Sequence, residues 1–370
     1  MIQAEDPAAS GRGSTAGTPS RRATVIRMWR VLRYFVGLGL GALAIDALLS
    51  RRGELSGATT YLTHVDWLWV LVAAVSEAGS YVAFASMQRR LLDAGGVYSG
   101  VGTMTGITLA ATAIANSMPA GPAVASVYSF RRYRRLGADD VLSGWVIAGV
   151  FVATSVSLAL FATIGVAIAG AEGGSLGLVG VVLGVFVASL VMGTVFLQRR
   201  ALVKVVSAAI RVSRKIVGRP RGDHAAQVEA LVSRIAAVRL SASQVVAIVG
   251  WAFGNWVLDC GCLALSFSAL HVAVPWKGLM LAYGAGQLAA NLPITPGGLG
   301  VVEGSLTIAL VAYGGVEVST VAAVLLYRVL SFWIELPVGW GTWGSMAWRS
   351  RRAEPSSERL ESANDMEVVL

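Results

Sequence analysis

The chain has 370 residues, a net charge of +9, 55% apolar residues and only 14% charged ones, with a mean hydropathy of +0.66 and a pI near 10. Soluble domains carry about 25% charged residues, so this composition argues against a soluble globular fold and for a chain that faces lipid. The basic excess sits in a few loops and at the ends. That distribution fits membrane topology and anionic lipid headgroups and makes a nucleic-acid partner unexpected.

Residues 1–22 are polar, rich in small residues, and expected to be a disordered cytoplasmic N-terminus. They lack the apolar core and cleavage site of a signal peptide. The first apolar run, Val31–Leu49, follows Arg21, Arg22, Arg27, Arg30 and Arg33, so it reads as a signal-anchor helix with its N-terminus inside. The loop 51–66 is then outside. Trp67–Met87 forms the second span, with Trp67 and Trp69 at the interface, and Arg89 and Arg90 return the chain to the cytoplasm.

Residues 100–130 are apolar but interrupted by Asn116-Ser-Met-Pro119-Ala-Gly-Pro122. Proline lacks the N–H a helix needs. Each arm has roughly 15 residues, or about 22 Å, against a hydrocarbon core of about 30 Å. The cluster Arg131, Arg132, Arg134 and Arg135 comes next, so the segment reads as a re-entrant hairpin entered from the cytoplasm. A kinked ordinary helix is the alternative. Val141–Ala169 and Leu176–Leu197 are two further spans. The insertion 199–240 carries ten Lys and Arg against Asp223 and Glu229. Its apolar residues share helical faces, as expected of two amphipathic helices on the cytoplasmic leaflet or of a solvated hairpin.

Val245–Leu270 crosses outward. Residues 278–313 are interrupted by Asn291-Leu-Pro293-Ile-Thr295-Pro296-Gly297-Gly298-Leu-Gly300, and both arms are again short. No basic cluster comes after it, so this hairpin is entered from outside. Val321–Ala347 crosses back, and Arg349, Arg351 and Arg352 keep the tail 349–370 inside. The expected fold is an all-α polytopic membrane protein, with about six full spans and two re-entrant hairpins inside a membrane domain 23–348.

The two breaks resemble each other. Each pairs an Asn with a Pro two or three residues on, then small residues, and each lies between full spans. Opposed entry makes them an inverted repeat, and broken helices in corresponding positions point to a substrate site near the midplane. The residues expected to bind substrate are Asn116 and Pro119 in the first half, and Asn291, Pro293, Thr295, Pro296, Gly297, Gly298, Gly300, Glu303 and Arg328 in the second. A charge in hydrocarbon is costly and has a role or a partner. Glu77, Asp259, Glu303, Arg328 and Glu335 all lie inside apolar segments. Arg328 offers a planar donor fork suited to phosphate, and Glu303 could pair with it, gate it or carry a proton. Each could instead be an interhelical clamp. Cys260 and Cys262 read as small apolar packers rather than metal ligands. No nucleophile elbow, phosphate loop or paired-His motif occurs, so no catalytic residue, metal or cofactor is expected.

The segment Asn291-Leu-Pro-Ile-Thr-Pro-Gly-Gly-Leu-Gly-Val-Val-Glu303 resembles the signature of the transmembrane, flippase-type region of lysylphosphatidylglycerol synthases and their stand-alone relatives. Tyr327-Arg328, Phe332-Trp333 and Pro337 are similar to that family's last helix. The resemblance implies a domain that translocates or handles polar lipids. The full synthases continue into a soluble aminoacyl-transferase domain, which is not expected here, because the chain ends soon after its last span. The family's Gly, Arg and acidic residue after the first proline are replaced here by the uncharged Pro119–Ser126.

The leading expectation is a lipid transporter of the cell membrane, with both termini cytoplasmic. Its partners are a membrane lipid substrate and anionic headgroups at the basic insertion. Two alternatives stand beside it: an accessory protein that presents lipid to a lipid-modifying enzyme, and a membrane-embedded enzyme acting on lipid-linked phosphates through Glu303 with Asp259 or Glu335.

Overall fold

A computed structural model describes residues 65–118, 120–170, 176–198, 240–290 and 296–353, all within the compact unit Ala44–Leu370. The first expected span and the basic insertion 199–239 lie outside the described residues. Within them the chain is helical throughout. Ten α-helices are numbered here in order: α1 Trp67–Ala94, α2 Val101–Ser117, α3 Gly121–Arg135, α4 Asp140–Ala169, α5 Leu176–Leu197, α6 Ala242–Ala269, α7 Trp276–Ala290, α8 Val301–Ala312, α9 Glu317–Arg328 and α10 Glu335–Ala353. A 3₁₀ turn, Pro296–Gly298, precedes α8, and a π-helical segment, Val329–Trp333, joins α9 to α10.

Local chemistry sets the ends of the long helices. Asp66 accepts from the Leu68 N–H at 2.9 Å and Asp139 from the Leu142 N–H at 2.8 Å. Ser241 and Gln244 form a reciprocal capping box on α6, which satisfies donors that a helix start leaves orphaned. Among the described residues, four stretches are long and apolar enough to cross a membrane: Trp67–Ala94, Asp140–Ala169, Ala242–Ala269 and Glu317–Arg349. α5 adds 22 apolar residues. Their outer faces expose large side chains such as Leu68, Val75, Phe151 and Val246. Such surfaces suit lipid, since soluble monomers rarely carry large contiguous apolar patches.

The short helices stop where proline and glycine interrupt the pattern. α2 ends at Ser117. Met118 is extended, Ala120 takes a left-handed conformation (φ 54°), and α3 restarts with Pro122 in its first turn. That position tolerates proline, because its N–H would be unpaired there anyway. α3 continues past the expected hairpin limit into the basic cluster and ends at Arg135. α7 ends at Ala290 and α8 starts at Val301. α2 packs on α3, and α7 packs on α8.

Two apolar clusters organise the molecule. One gathers Leu91 and Leu92 of α1, Met104 and Ile107 of α2, Tyr133 of α3, Val146 of α4, and Ile248 and Ala252 of α6. The other gathers Ala73 of α1, Phe161 of α4, Leu263 and Phe267 of α6, Tyr283 of α7, Leu306 of α8, and Ala323 of α9. Thus α1, α4 and α6 serve both clusters with opposite ends. The α2–α3 pair sits at the C-terminal end of α1 and the N-terminal ends of α4 and α6, and the α7–α8 pair sits at their other ends. Between them, α2 contacts the 3₁₀ turn of the second break.

Candidate functional site

At the second break Arg328, Glu303 and the Gly297 and Gly300 backbone come together. Arg328, at the end of α9, is buried at 8% exposure. Its Nε donates to Glu303 Oε1 at 2.7 Å, and its Nη2 donates to the Gly297 carbonyl at 3.0 Å. The guanidinium also lies over the Phe332 ring, 4.6 Å from its centroid, a cation–π arrangement. Glu303 belongs to the first turn of α8. Its second oxygen accepts the Gly300 N–H at 2.6 Å, so one carboxylate both starts a helix and holds the cation.

The glycines here are structural requirements. Gly297 has φ 62°, and a Cβ there would run into the Phe332 ring. Gly298 lies under Val302 and Ala290, and Pro296 opens the 3₁₀ turn. Arg328 has five N–H donors, and the described residues take two of them.

The first break is joined to α10. Asn116 Nδ2 donates to Glu335 Oε2 at 3.0 Å, and Trp340 Nε1 donates to Ser117 Oγ at 3.0 Å. Gly339 lies so close to α2 that a Cβ would overlap the Leu109 carbonyl and the Ala113 methyl. Tyr81 of α1 lies beside Glu335 and reaches the Ser331 carbonyl at 3.4 Å. Helical spacing alone sets Arg328 and Glu335, seven residues apart, on one face. They instead bond at different breaks, and the π-helical segment between them departs from that spacing.

Asp259 is bound by aromatic hydroxyls. Tyr283 donates to Oδ2 at 2.6 Å and Tyr327 to Oδ1 at 2.8 Å. Neither Asp259 nor Glu335 shares a hydrogen bond with Glu303. Pro119, Asn291, Pro293 and Thr295 lie outside the described residues. Tyr81 and Tyr283 were not among the residues expected to matter. Their signal was a tyrosine within an apolar helix, whose hydroxyl needs a partner when buried.

Helices of spanning length around broken helices with buried charge define a multi-pass membrane protein. The family model described as the lysylphosphatidylglycerol synthase TM region matches residues 23–339, and the chain belongs to this family. Membership links it to membrane-lipid modification or transport. No curated protein matches the chain.

Proposed function

We propose that the chain is a lipid transporter of the cell membrane, moving a lipid with an anionic, phosphate-bearing headgroup between leaflets. The observation that carries this reading is Arg328: a buried cation held at a broken helix by Glu303 and a backbone carbonyl, with the first break packed beside it. A headgroup phosphate would take the guanidinium donors that no described residue uses, which suit planar bidentate recognition, and would meet the positive N-terminal end of α8. Entry of the α2–α3 and α7–α8 pairs as opposed re-entrant hairpins is supported by their positions at opposite ends of α1, α4 and α6 and by their helix lengths. α8, with 12 residues, rises about 18 Å, short of the about 30 Å hydrocarbon core.

Rocking of one half against the other would open the breaks alternately to each side. The reading makes the chain a carrier and assigns it no catalysis. Glu303, Glu335 and Asp259 are engaged by arginine, asparagine and tyrosine donors respectively, and neither Glu335 nor Asp259 is hydrogen-bonded to Glu303. The arginine clusters support a cytoplasmic position for both termini, and the insertion 199–239 would rest on anionic headgroups or meet a lipid-modifying enzyme.

The test is translocation of fluorescent NBD-phosphatidylglycerol in proteoliposomes, read by dithionite quenching. Arg328→Ala and Arg328→Lys, each verified as folded by gel filtration, should slow flipping about tenfold or more, the equivalent of about 1.4 kcal/mol. Unchanged rates in both variants would overturn the mechanism.

A further inference from the structure

A second polar cluster lies within the same bundle. Glu77 stands midway along α1 at 5% exposure. One residue back, Ser76 Oγ donates to the Leu258 carbonyl at 2.7 Å and faces Gly261, and Asn255 Nδ2 donates to the Ser80 carbonyl at 3.3 Å, which sets Glu77 against the Asp259–Cys262 stretch of α6. Glu77 Oε2 is buried without a hydrogen-bond partner among the described residues. Two ionised carboxylates side by side are costly in a low-dielectric interior, and a proton on one of them relieves the repulsion. The hydroxyls of Tyr283 and Tyr327 both donate to Asp259 and so favour its ionised form, whereas Glu77 Oε2 has no such donor among the described residues.

The surrounding elements supply little positive charge. α6 adds Cys260, and α7 presents Tyr283 and Gln287, with Lys277 back in its first turn. α9 presents Tyr327 and then Arg328, which is committed to Glu303; Glu317 lies at its far end. α10 begins with Glu335, another acid, beside Tyr81. α2 and the π segment carry no titratable side chain, and that of α4, Asp140, is bonded to Arg134.

We propose that Glu77 and Asp259 form a proton-binding site whose occupancy is linked to an anionic headgroup at Arg328, so that lipid and proton move together. The proposal rests on the transport reading above and names its coupling ion. A phosphate arriving at Arg328 adds a negative charge beside Glu303 and within the field of Asp259, and a proton on Glu77 offsets it. By reciprocity, that proton strengthens headgroup binding. Water on either side supplies and receives the proton as access alternates. A metal cation fits poorly, because hard cations need a shell of oxygen acceptors. The groups turned on Asp259 and Glu77 are donors: two tyrosine hydroxyls, Gln287 Nε2 at 3.5 Å and a thiol.

The experiment uses the full chain in phosphatidylethanolamine/phosphatidylglycerol vesicles with NBD-phosphatidylglycerol as probe. Flip rates are measured under a proton gradient, under a sodium gradient at symmetrical pH, and with neither. The wild type should flip at least about fivefold faster along one direction of the proton gradient, the low end of ordinary coupling between sites. That ratio should fall to one in Glu77→Gln and in Asp259→Asn. Dicyclohexylcarbodiimide, which attacks protonated carboxyls in apolar sites, gives a readout independent of transport. Mass mapping should place its adduct on Glu77, with labelling that falls as pH rises. Flipping that ignores the proton gradient, follows sodium, or keeps its ratio in both variants overturns the proton site and leaves the transport reading standing. An absence of flipping under every gradient, with Glu77 still labelled, overturns the transport reading and the coupling with it.

Discussion

Glu303 serves two donors at once, which makes Glu303→Gln a sharp perturbation despite its near-identical shape. The wild-type carboxylate accepts Arg328 Nε on one oxygen and the Gly300 N–H on the other. A glutamine has one oxygen and one NH₂, so whichever donor keeps the oxygen, the other faces a donor. Losing a hydrogen bond to a charged group costs about 1.5–3 kcal/mol, and losing a helix N-terminal cap costs about 0.5–2 kcal/mol. Because the amide retains one of the two bonds and turns its NH₂ on the other donor, the expected net loss is about 1–3 kcal/mol. Arg328→Met should cost a similar amount by leaving Glu303 unpaired in an apolar setting. The double variant should recover part of both losses, with a coupling of about 1–3 kcal/mol. The assay is unfolding of the purified chain in detergent, monitored by tryptophan fluorescence and analysed as a double-mutant cycle. Single variants within about 0.5 kcal/mol of wild type, or strictly additive losses, would refute the claim that this pair holds the second break together.

Removing the hydroxyl in Tyr283→Phe or Tyr327→Phe takes one donor from Asp259 and should cost about 1–3 kcal/mol each, measured in the same unfolding assay; the double variant should lose more than either single. Gly297→Ala places a methyl against the Phe332 ring at a left-handed residue and should destabilise by at least about 1–3 kcal/mol, with flipping slowed because the Gly297 carbonyl positions Arg328.

The breaks were legible because proline and glycine act locally. The helices stop at Ser117 and Ala290 and resume at Gly121 and Val301, where the sequence pattern fails. Glu303 and Arg328 could be suspected of pairing, since charge inside apolar helices demands a partner. What the sequence could not supply was partnership between distant helices. Asn116 and Glu335 are 219 residues apart, and nothing local to either names the other. Glu77 and Asp259 read as two isolated acids until α1 and α6 packed side by side. The π segment has no periodic signature, so helical spacing alone put Arg328 and Glu335 on one face.

That π segment gives the two breaks a mechanical connection. Between Arg328 and Trp340 the chain touches both. Arg328 and Phe332 meet Gly297 at the second break, while Glu335, Gly339 and Trp340 meet α2 near the first. The π segment also contacts α1, near Tyr81. π-helical turns are uncommon and concentrate at functional sites, where one residue more or fewer in the turn changes the register of everything downstream. A headgroup that drew Arg328 away from Glu303 would pull on this segment directly, and a return to α-helical winding would shift Glu335 and Gly339 along α2. The same stretch links Arg328 to Asp259 through Tyr327. Events at the second break would thereby reach both the first break and the buried acids through a single continuous piece of backbone.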